Sequence, residues 1–286
     1  MSIIQMTRKA VKVLITGISW RHPLIRIWVG AVNPFDWLWR QAKGLRYLPP
    51  YSIRVRSTGL TNQFGGERFF RLGLKVCALL REHTGLTHYS RVLELGCGSG
   101  RNALAIAKTV GNVKYVGMDI ERISLAWCQK DRFLQGHGYQ FDFLDVENQE
   151  YNPSGQYKAS EYVFPYSEGA FDIVFLISVF THMLTEDVKN YIGEIARVLA
   201  PSGMCMLSTF LVDLGGSSRM SQFPYKDKEH FYNNVRIPEI MVGYETGFIQ
   251  REFVKHGMRL KESPIIGSWE NTVEAFGQDI LLFEKQ

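Results

Sequence analysis

Residues 91–107 constrain the fold of this 286-residue chain more than any other stretch. A short apolar run is followed by three glycines at alternate positions, Gly96, Gly98 and Gly100, and then by an alanine-rich segment. This pattern predicts a β-strand, a tight turn and an α-helix. Glycines at this spacing let the backbone approach a ligand closely, and the N–H groups at the start of the helix are free to bind it. The stretch therefore predicts a cofactor-binding turn.

The carboxylate of Glu94 adds a negative charge at the end of the predicted strand, beside the glycine loop. A negative charge here suits a cationic ligand better than a pyrophosphate. Residues 98–103 nevertheless also fit the permissive G-x-G-x-x-A form of a dinucleotide-binding loop. The loop by itself leaves both cofactor classes open.

Residues 92–100 resemble motif I of the class I S-adenosylmethionine-dependent methyltransferases, in which an acid within a hydrophobic strand precedes Gly-x-Gly-x-Gly. The resemblance implies that S-adenosylmethionine is the cofactor and that Glu94 lies near its sulfonium and amino end. It also implies that Cys97 and the three glycines line the cofactor site.

A second buried strand is predicted over residues 113–120 and ends in Asp119, 25 residues after Glu94. A carboxylate at this place can accept hydrogen bonds from both ribose hydroxyls of a nucleotide-like cofactor. The resemblance assigns that role to Asp119, with Ile120 beside it in the cofactor site. A helix over residues 121–134 is expected to return the chain to the sheet.

The third strand is predicted over residues 139–146. By resemblance, Asp145 accepts from the adenine amino group and Val146 contacts the adenine ring. Asp142 is the alternative acceptor, and an aspartate that only caps a turn is a second alternative for Asp145. Residues 145–155 are expected to form an ordered loop.

Residues 169–177 form a nearly continuous apolar run, which is typical of the middle of a parallel sheet. With the segment that follows, they resemble the family's motif around its fourth strand. This implies that Ser178 and Val179 line the methionine end of the cofactor and that His182 faces the substrate. The turn at residues 199–203, Leu-Ala-Pro-Ser-Gly, also recurs in these methyltransferases and not in dehydrogenases, so the resemblance favours the methyltransferase over the dinucleotide enzyme.

Three absences narrow the substrate. The chain has no Asp/Asn-Pro-Pro-aromatic box, no cysteine preceded by proline, and no carboxylate pair at the ends of strands 4 and 5. We therefore expect no specific nucleic-acid substrate and no catalytic metal. Four cysteines without a C-x-x-C pair or a Cys/His cluster are expected to be reduced and buried in a cytoplasmic setting.

The first 56 residues carry ten Lys or Arg and one acid, Asp36, so this segment has a charge of +9 and the remainder −4. It also holds four of the six tryptophans, and Trp interleaved with basic residues is typical of segments that lie on membranes. Arg21, Pro23 and Arg26 interrupt its apolar run, so no transmembrane span is expected, and no secretory signal either. Residues 1–60 are predicted to form a helical extension that packs as a lid with a solvated basic face, or that docks on a membrane through residues 1–50. Nucleic-acid contact is a third, weaker alternative, because no nucleic-acid module accompanies the charge.

Residues 61–286 are predicted to form the methyltransferase domain, a Rossmann-like sheet of seven strands in the order 3-2-1-4-5-7-6 with the last strand antiparallel. A lid is expected at residues 57–70, with Gln63, Phe69 and Phe70 in the pocket, although a plain linker is an alternative. The helix at residues 67–86 should be largely buried. A helix from 185 to 199 should start with Thr185 as its N-cap.

The remaining segments are expected to include an irregular substrate insertion at residues 213–243, a helix over 244–256 and an antiparallel strand pair. The insertion supplies six pocket candidates: Phe223, Tyr225, His230, Phe231, Tyr232 and Arg236.

The expected function is transfer of a methyl group to oxygen or nitrogen of a small-molecule or lipid-linked acceptor. His182 is the first candidate base and His230 the second, because a hydroxyl acceptor benefits from a base whose pKa is near neutrality. The alternative function is a non-catalytic ligand-sensing or scaffold module at the membrane surface.

Overall fold

The computed structural model of the protein describes residues 23–58, 64–214, 219–267 and 277–286. The strands are β1 (Arg91–Leu95), β2 (Lys114–Asp119), β3 (Gln140–Phe143), β4 (Phe171–Leu176), β5 (Leu199–Thr209), β6 (Tyr225–Asp227), β7 (His230–Tyr232), β8 (Val242–Tyr244), β9 (Met258–Leu260) and β10 (Asp279–Lys285). The helices are α1 (Pro23–Ala42), α2 (Tyr51–Thr58), α3 (Glu67–Thr84), α4 (Arg101–Thr109), α5 (Arg122–Lys130), α6 (Arg132–Gly136), α7 (Thr185–Val198) and α8 (Thr246–Lys255).

Seven strands form one sheet in the order β3-β2-β1-β4-β5-β10-β9, which confirms the predicted topology. The first five of these strands are parallel, and β10 is antiparallel to both of its neighbours. Leu95 at the end of β1 pairs with Met118 of β2 and with Leu176 of β4. This register brings the carboxyl ends of three strands level at one edge, where ligands bind in open α/β sheets.

Helices cover both faces of the sheet, so its central strands are largely apolar, with Glu94 in β1 as a buried exception. One face packs mainly against α3 and α4, and the other against α7 and α8. The predicted helix at 67–86 is α3, whose inner side is buried through Phe69, Val76 and Leu80. Cys77, Cys97, Cys128 and Cys205 are buried free thiols, as expected.

Two helix boundaries differ from the prediction. The residue that caps α7 is Leu184, not Thr185, because the Asp187 carboxylate turns back and accepts from Leu184 N at 3.2 Å. The helix expected over residues 121–134 breaks at Asp131, whose side chain accepts from two backbone N–H groups and starts α6. Short polar side chains that bond to nearby backbone favour helix starts over helix interiors.

The segment predicted as an irregular insertion contains a second sheet, in which β6, β7 and β8 pair antiparallel. Each of these strands has three residues, which is too short for an alternating pattern to show in the sequence. Phe223 and Phe231 pack with Val212 in a small core of their own. The aromatic residues of this segment are therefore partly accounted for by packing.

The described part of the N-terminal extension is held together by a buried carboxylate, Asp36 of α1. Its side chain pairs with Arg54 of α2 and with Arg40, whose Nε lies 2.9 Å away, and accepts from Gly65 N at 2.8 Å. Asp36, Arg40 and Arg54 are all buried, so the expectation that the basic residues form a solvated face is wrong for these two arginines. Residues 1–22 lie outside the described residues.

Replacing Asp36 with Asn should lower the free energy of unfolding by about 3 kcal/mol or more, because Arg54 and Arg40 would be buried without a counter-charge. Urea unfolding followed by circular dichroism measures the change. Glu186→Gln is the control, since its ion pair with Lys189 is exposed and should contribute less than about 0.5 kcal/mol. Equal stabilities of the two variants would contradict this account of Asp36.

Candidate active site

A cavity of about 570 Å³ opens at the edge where the carboxyl ends of β1, β2 and β4 meet. It is lined by the loop after β1, by the residues that follow β2, β3 and β4, and by parts of α2 and α3. Several sequence segments predicted to bind cofactor or substrate therefore meet in one place. The parallel sheet brings them together, since each strand ends at this same edge.

The glycine loop lies against the segment that follows β4. Gly96, Gly98 and Gly100 have φ values of 73°, 53° and 75°, a region that other residues seldom adopt. A Cβ added to Gly96 would lie 2.5 Å from Val179 Cγ2. This close approach to Val179 explains why glycine is needed at position 96. The loop backbone and Cys97 face the cavity.

Asp119 ties the loop to the end of β2. Its Oδ2 accepts from Gly98 N at 2.6 Å, and its Oδ1 accepts from Glu121 N at 2.7 Å. Burial raises the pKa of Asp119 to about 6, although these backbone hydrogen bonds lower it. Each carboxylate oxygen has a second lone pair, so Asp119 can still accept from a ligand in the cavity, which it lines together with Ile120.

Glu94 is the second buried carboxylate of the cavity, and it is only 1% exposed. It accepts from Asn102 Nδ2 at 2.7 Å and from the Tyr115 hydroxyl. Burial raises its pKa to about 7, while both hydrogen bonds act in the opposite direction. Because a nearby cation favours the ionised form, Glu94 fits the positive end of a ligand.

Three arginines that the sequence analysis missed also line the cavity, Arg56, Arg68 and Arg101. Burial lowers the pKa of Arg101, and the charge of Glu94 raises it. An amino-acid ligand carries both an ammonium and a carboxylate, and the cavity offers charges of both signs. Arg101 could have been identified from its position in the sequence, because it directly follows the last glycine of the loop and is the first residue of α4.

The two residues predicted to contact adenine differ in whether they line the cavity. Val146 lines it together with Leu144, whereas Asp145 is not among its described lining residues. Asp145 Oδ1 lies 3.4 Å from Arg122 Nη2 and 3.5 Å from Asn152 Nδ2. The alternative, Asp142, accepts from the Tyr166 hydroxyl at 2.6 Å. Contact of Asp145 with adenine stays a prediction.

The loop over residues 145–155 is ordered, as expected. Asn148 and Asn152 exchange backbone hydrogen bonds of 3.1 and 3.0 Å, and Asn148 Oδ1 accepts from two further N–H groups. These bonds hold the loop at the cavity, which Glu147, Glu150 and Tyr151 line.

Ser178, Val179 and His182 all line the cavity. Contact of the first two with the methionine end of the cofactor, and of His182 with the substrate, stays a prediction. Ser178 has a φ of 62°, and its hydroxyl donates to Gln278 Oε1 at 2.9 Å. His182 Nδ1 lies 2.9 Å from the carbonyl oxygen of Glu239. A carbonyl oxygen only accepts, so Nδ1 carries the proton and the lone pair of the neutral ring is at Nε2.

His230 and the other aromatic candidates of the insertion are not among the described residues that line the cavity. His230 is 4% exposed, and its Nδ1 lies 2.8 Å from the Thr185 hydroxyl; burial lowers its pKa. This contact joins β7 to α7, so the geometry does not support His230 as a base. From this part of the chain it is Glu239, in a short 3₁₀ turn, that reaches the cavity.

Two of the three pocket residues predicted for the lid do not line the cavity. Phe69 is fully buried on the inner side of α3, and Phe70 packs on Tyr47 with ring centroids 5.4 Å apart. The lid itself, at residues 57–70, lies partly outside the described residues and stays a prediction. The cavity residues of this region are Arg68 and Leu72 of α3 and Val55 and Arg56 of α2. Gln63 lies outside the described residues.

Over the ranges that the structure describes, no group of three or more His, Cys, Asp or Glu side chains could hold a metal ion.

Residues 93–207 match a family model described as a methyltransferase domain. The chain is 26% identical over 147 residues to phthiotriol/phenolphthiotriol dimycocerosates methyltransferase 1 of Mycobacterium ulcerans, covering 49% of this chain and 45% of that protein. It is 25% identical over 125 residues to O-methyltransferase rstn1 of Aspergillus nomiae, covering 44% of this chain and 48% of the other. The chain spans about half the length of the curated relatives that it matches.

Among solved structures, the chain resembles the PH0226 protein of Pyrococcus horikoshii with a TM-score of 0.53 at 15% identity. The likeness covers 82% of this chain and 98% of the other. At this identity it establishes the fold, which agrees with the strand order of the large sheet.

The stability of the ligand-free protein should fall as the pH rises from about 4.5 to 7. Glu94 has a pKa above its ordinary value, so the folded state holds its proton where the unfolded state has released it. The shift corresponds to about 3 kcal/mol across that range. Urea unfolding at pH 5 and pH 7.5 should show a smaller decrease for Glu94→Gln than for the wild type. An identical decrease in both proteins would contradict the assignment.

Proposed function

Because this chain contains a class I S-adenosylmethionine-dependent methyltransferase domain, we propose that it transfers the methyl group of S-adenosylmethionine to a hydroxyl of a small-molecule or lipid-linked acceptor. The observation that carries the proposal is the pair of buried carboxylates, Glu94 and Asp119, at the glycine loop. Burying carboxylates is costly, and groups kept in such a state are typical of functional sites.

The described residues fit this cofactor. Glu94 would face its positive end, Arg101 its carboxylate, Asp119 the ribose hydroxyls, and Val146 with Ile120 and Leu144 the adenine ring. The bound cofactor supplies a methyl group already activated by a sulfonium. The chain therefore has to align the acceptor with that methyl group and exclude water, and alignment alone can lower a barrier by about 7–11 kcal/mol.

The orientation of His182 supports its role as the base for the methyl acceptor. His182 donates from Nδ1 to the Glu239 carbonyl, so its Nε2 can accept a proton from an acceptor hydroxyl. Tyr151 fixes the ring from one edge, with centroids 5.6 Å apart. A hydroxyl must lose its proton when it is methylated, whereas a neutral amine can attack first. The fixed tautomer of His182 therefore favours oxygen over nitrogen as the accepting atom.

The same end of the cavity is rich in carboxylates that can accept hydrogen bonds. Glu147, Glu150, Asp187 and Glu239 line it, and Glu239 Oε2 is buried with no hydrogen-bond partner among the described residues. A buried acceptor without a donor destabilises the folded protein by about 1–3 kcal/mol. A substrate with several hydroxyls would donate hydrogen bonds to these carboxylates.

The relatives support a small or lipid-like acceptor, because one is a methyltransferase for phthiotriol dimycocerosates and another is an O-methyltransferase. We also propose that the protein works without a metal, in the cytoplasm, and reaches lipid-linked acceptors by peripheral association of residues 1–50 with a membrane. None of the described helices is long and apolar enough to cross a membrane.

Asp119→Ala should abolish binding of S-adenosylmethionine in titration calorimetry, because it removes the ribose acceptor and frees the loop at Gly98. Gly98→Val should also abolish binding, because a valine is strained at the positive φ of this position and would distort the loop. Glu168→Gln, an exposed residue away from the cavity, is the control and should bind like the wild type. Undiminished binding by the first two variants, or binding of NAD in place of S-adenosylmethionine, would refute the cofactor site.

His182→Ala should lower kcat at least about tenfold and leave the Kd for S-adenosylmethionine nearly unchanged, since a positioned base contributes about 10²–10⁴-fold. The assay uses methyl-labelled cofactor with extracts of metabolites and lipids, and then the purified acceptor. His88→Gln, on an exposed turn, is the matched control. An unchanged kcat would show that His182 is not the base.

The alternative is a non-catalytic module that binds the cofactor as a sensor or scaffold. Fold alone does not decide between them. If calorimetry shows that the protein binds S-adenosylmethionine, but no extract gives a methyl-labelled product, the result would favour the non-catalytic module.

A further inference from the structure

Helix α1 carries apolar residues on its outward side as well as on its inward side, where Val29 packs with Tyr51 and Val55 of α2. Asp36 and Arg40 face inward and are buried in ion pairs, whereas Ile27, Phe35 and Leu38 are 70%, 67% and 57% exposed. The outward side of a helix at the surface of a globular protein is ordinarily polar. The outward side of α1 therefore requires an explanation that core packing does not give.

The exposed apolar residues form one continuous stripe. Positions 27, 31, 35 and 38 follow each other at helical spacing and lie on one side of α1. Trp28, Trp37 and Trp39 flank the stripe and are 47%, 53% and 44% exposed. We call these seven residues, 27, 28, 31, 35, 37, 38 and 39, the apolar face of α1.

Most of the charges beside this face are positive. Asp36, the only acid of residues 1–56, is taken up by two arginines inside the protein. Arg26, Lys43 and Arg46 remain exposed at the two ends of α1, and within residues 23–50 the structure describes no exposed acid. The ammonium of Lys43 lies 5.2 Å from the centre of the Trp39 ring.

We propose that the apolar face of α1 docks on the surface of an anionic lipid bilayer, with the helix parallel to the membrane. Phe35, Leu38 and Ile27 enter the boundary between headgroups and acyl chains, where Trp rings are also favoured. Arg26, Lys43 and Arg46 meet the anionic headgroups. A hydrophobic face bordered by Arg26, Lys43 and Arg46 complements such a surface in polarity and in net charge, although one exposed acid, Glu67, accepts from Trp39 Nε1 at 2.7 Å.

The docking face also adjoins the cavity through a single helix. Trp28 of α1 packs edge to face on Tyr51 of α2, with centroids 5.7 Å apart, and α2 places Val55 and Arg56 in the cavity wall. A membrane held by α1 therefore lies one helix away from the cavity, at the part of its wall where Arg56 pairs with Glu121 at 3.2 Å. This link to a lipid-linked acceptor rests on the proposed methyl transfer, whereas membrane binding itself does not.

The test is co-sedimentation of the full chain with vesicles of phosphatidylcholine, with and without phosphatidylglycerol. Binding is expected only with the anionic lipid and should weaken at high salt, because surface charges are screened. The double variant Phe35→Ser/Leu38→Ser should reduce vesicle binding at least about tenfold, because it removes two large apolar side chains from the lipid contact. Lys43→Glu/Arg46→Glu should abolish the preference for anionic lipid.

The control is Val163→Ser/Val254→Ser, which removes two apolar side chains that are 67% and 62% exposed elsewhere on the surface. It should bind vesicles like the wild type, and so should His182→Ala, which separates docking from methyl transfer. The proposal is overturned if the wild type does not bind anionic vesicles, or if the control loses as much binding as the α1 variants. It is also overturned if sedimentation velocity shows that Phe35→Ser/Leu38→Ser only converts a dimer into a monomer, because the face would then bind a second copy of the chain.

Discussion

The hydrogen bond from Gly98 N to the Asp119 carboxylate joins the loop after β1 to the end of β2, and the cavity is built around it. It holds the glycine loop in a conformation that leaves the backbone open to a ligand. It also fixes Asp119 at the sheet edge, with Glu94 of the neighbouring strand nearby. Both carboxylates are buried and have raised pKa values, so the folded protein keeps them at a cost in stability. A ligand with a positive charge and hydroxyl donors relieves that cost.

The sequence predicted the large sheet well because its strands are buried on both faces. Such strands appear as apolar runs, and the acids and glycines that end them stand out against this background. The same physical reason makes Glu94, Asp119, Ser178 and His182 predictable as cavity residues, since each lies near the carboxyl end of a parallel strand or follows one. Topology alone brought them to one edge.

Other features left no periodic signal in the sequence. The strands β6, β7 and β8 are too short to alternate, so the sequence predicts an irregular segment there. Two of the aromatic residues predicted to line a pocket, Phe223 and Phe231, belong to a small core instead. Glu239 reaches the cavity because a 3₁₀ turn packs against the loop of His182, a contact between distant segments. No local pattern encodes such a contact.

The N-terminal helices show that composition alone does not indicate which side of a helix faces the protein core. The basic residues of α1 and α2 predict a solvated basic face, but Arg40 and Arg54 are buried around Asp36, and a stripe of apolar residues on α1 is exposed. Once Asp36 is placed inward, helical spacing leaves positions 27, 31, 35 and 38 on the opposite side. The ion pairs that attach α1 to the protein therefore also determine which side of it faces outward. A buried charge cluster and an exposed apolar stripe are two consequences of one helix orientation, so removing the cluster should disturb the docking face as well as the packing of α2.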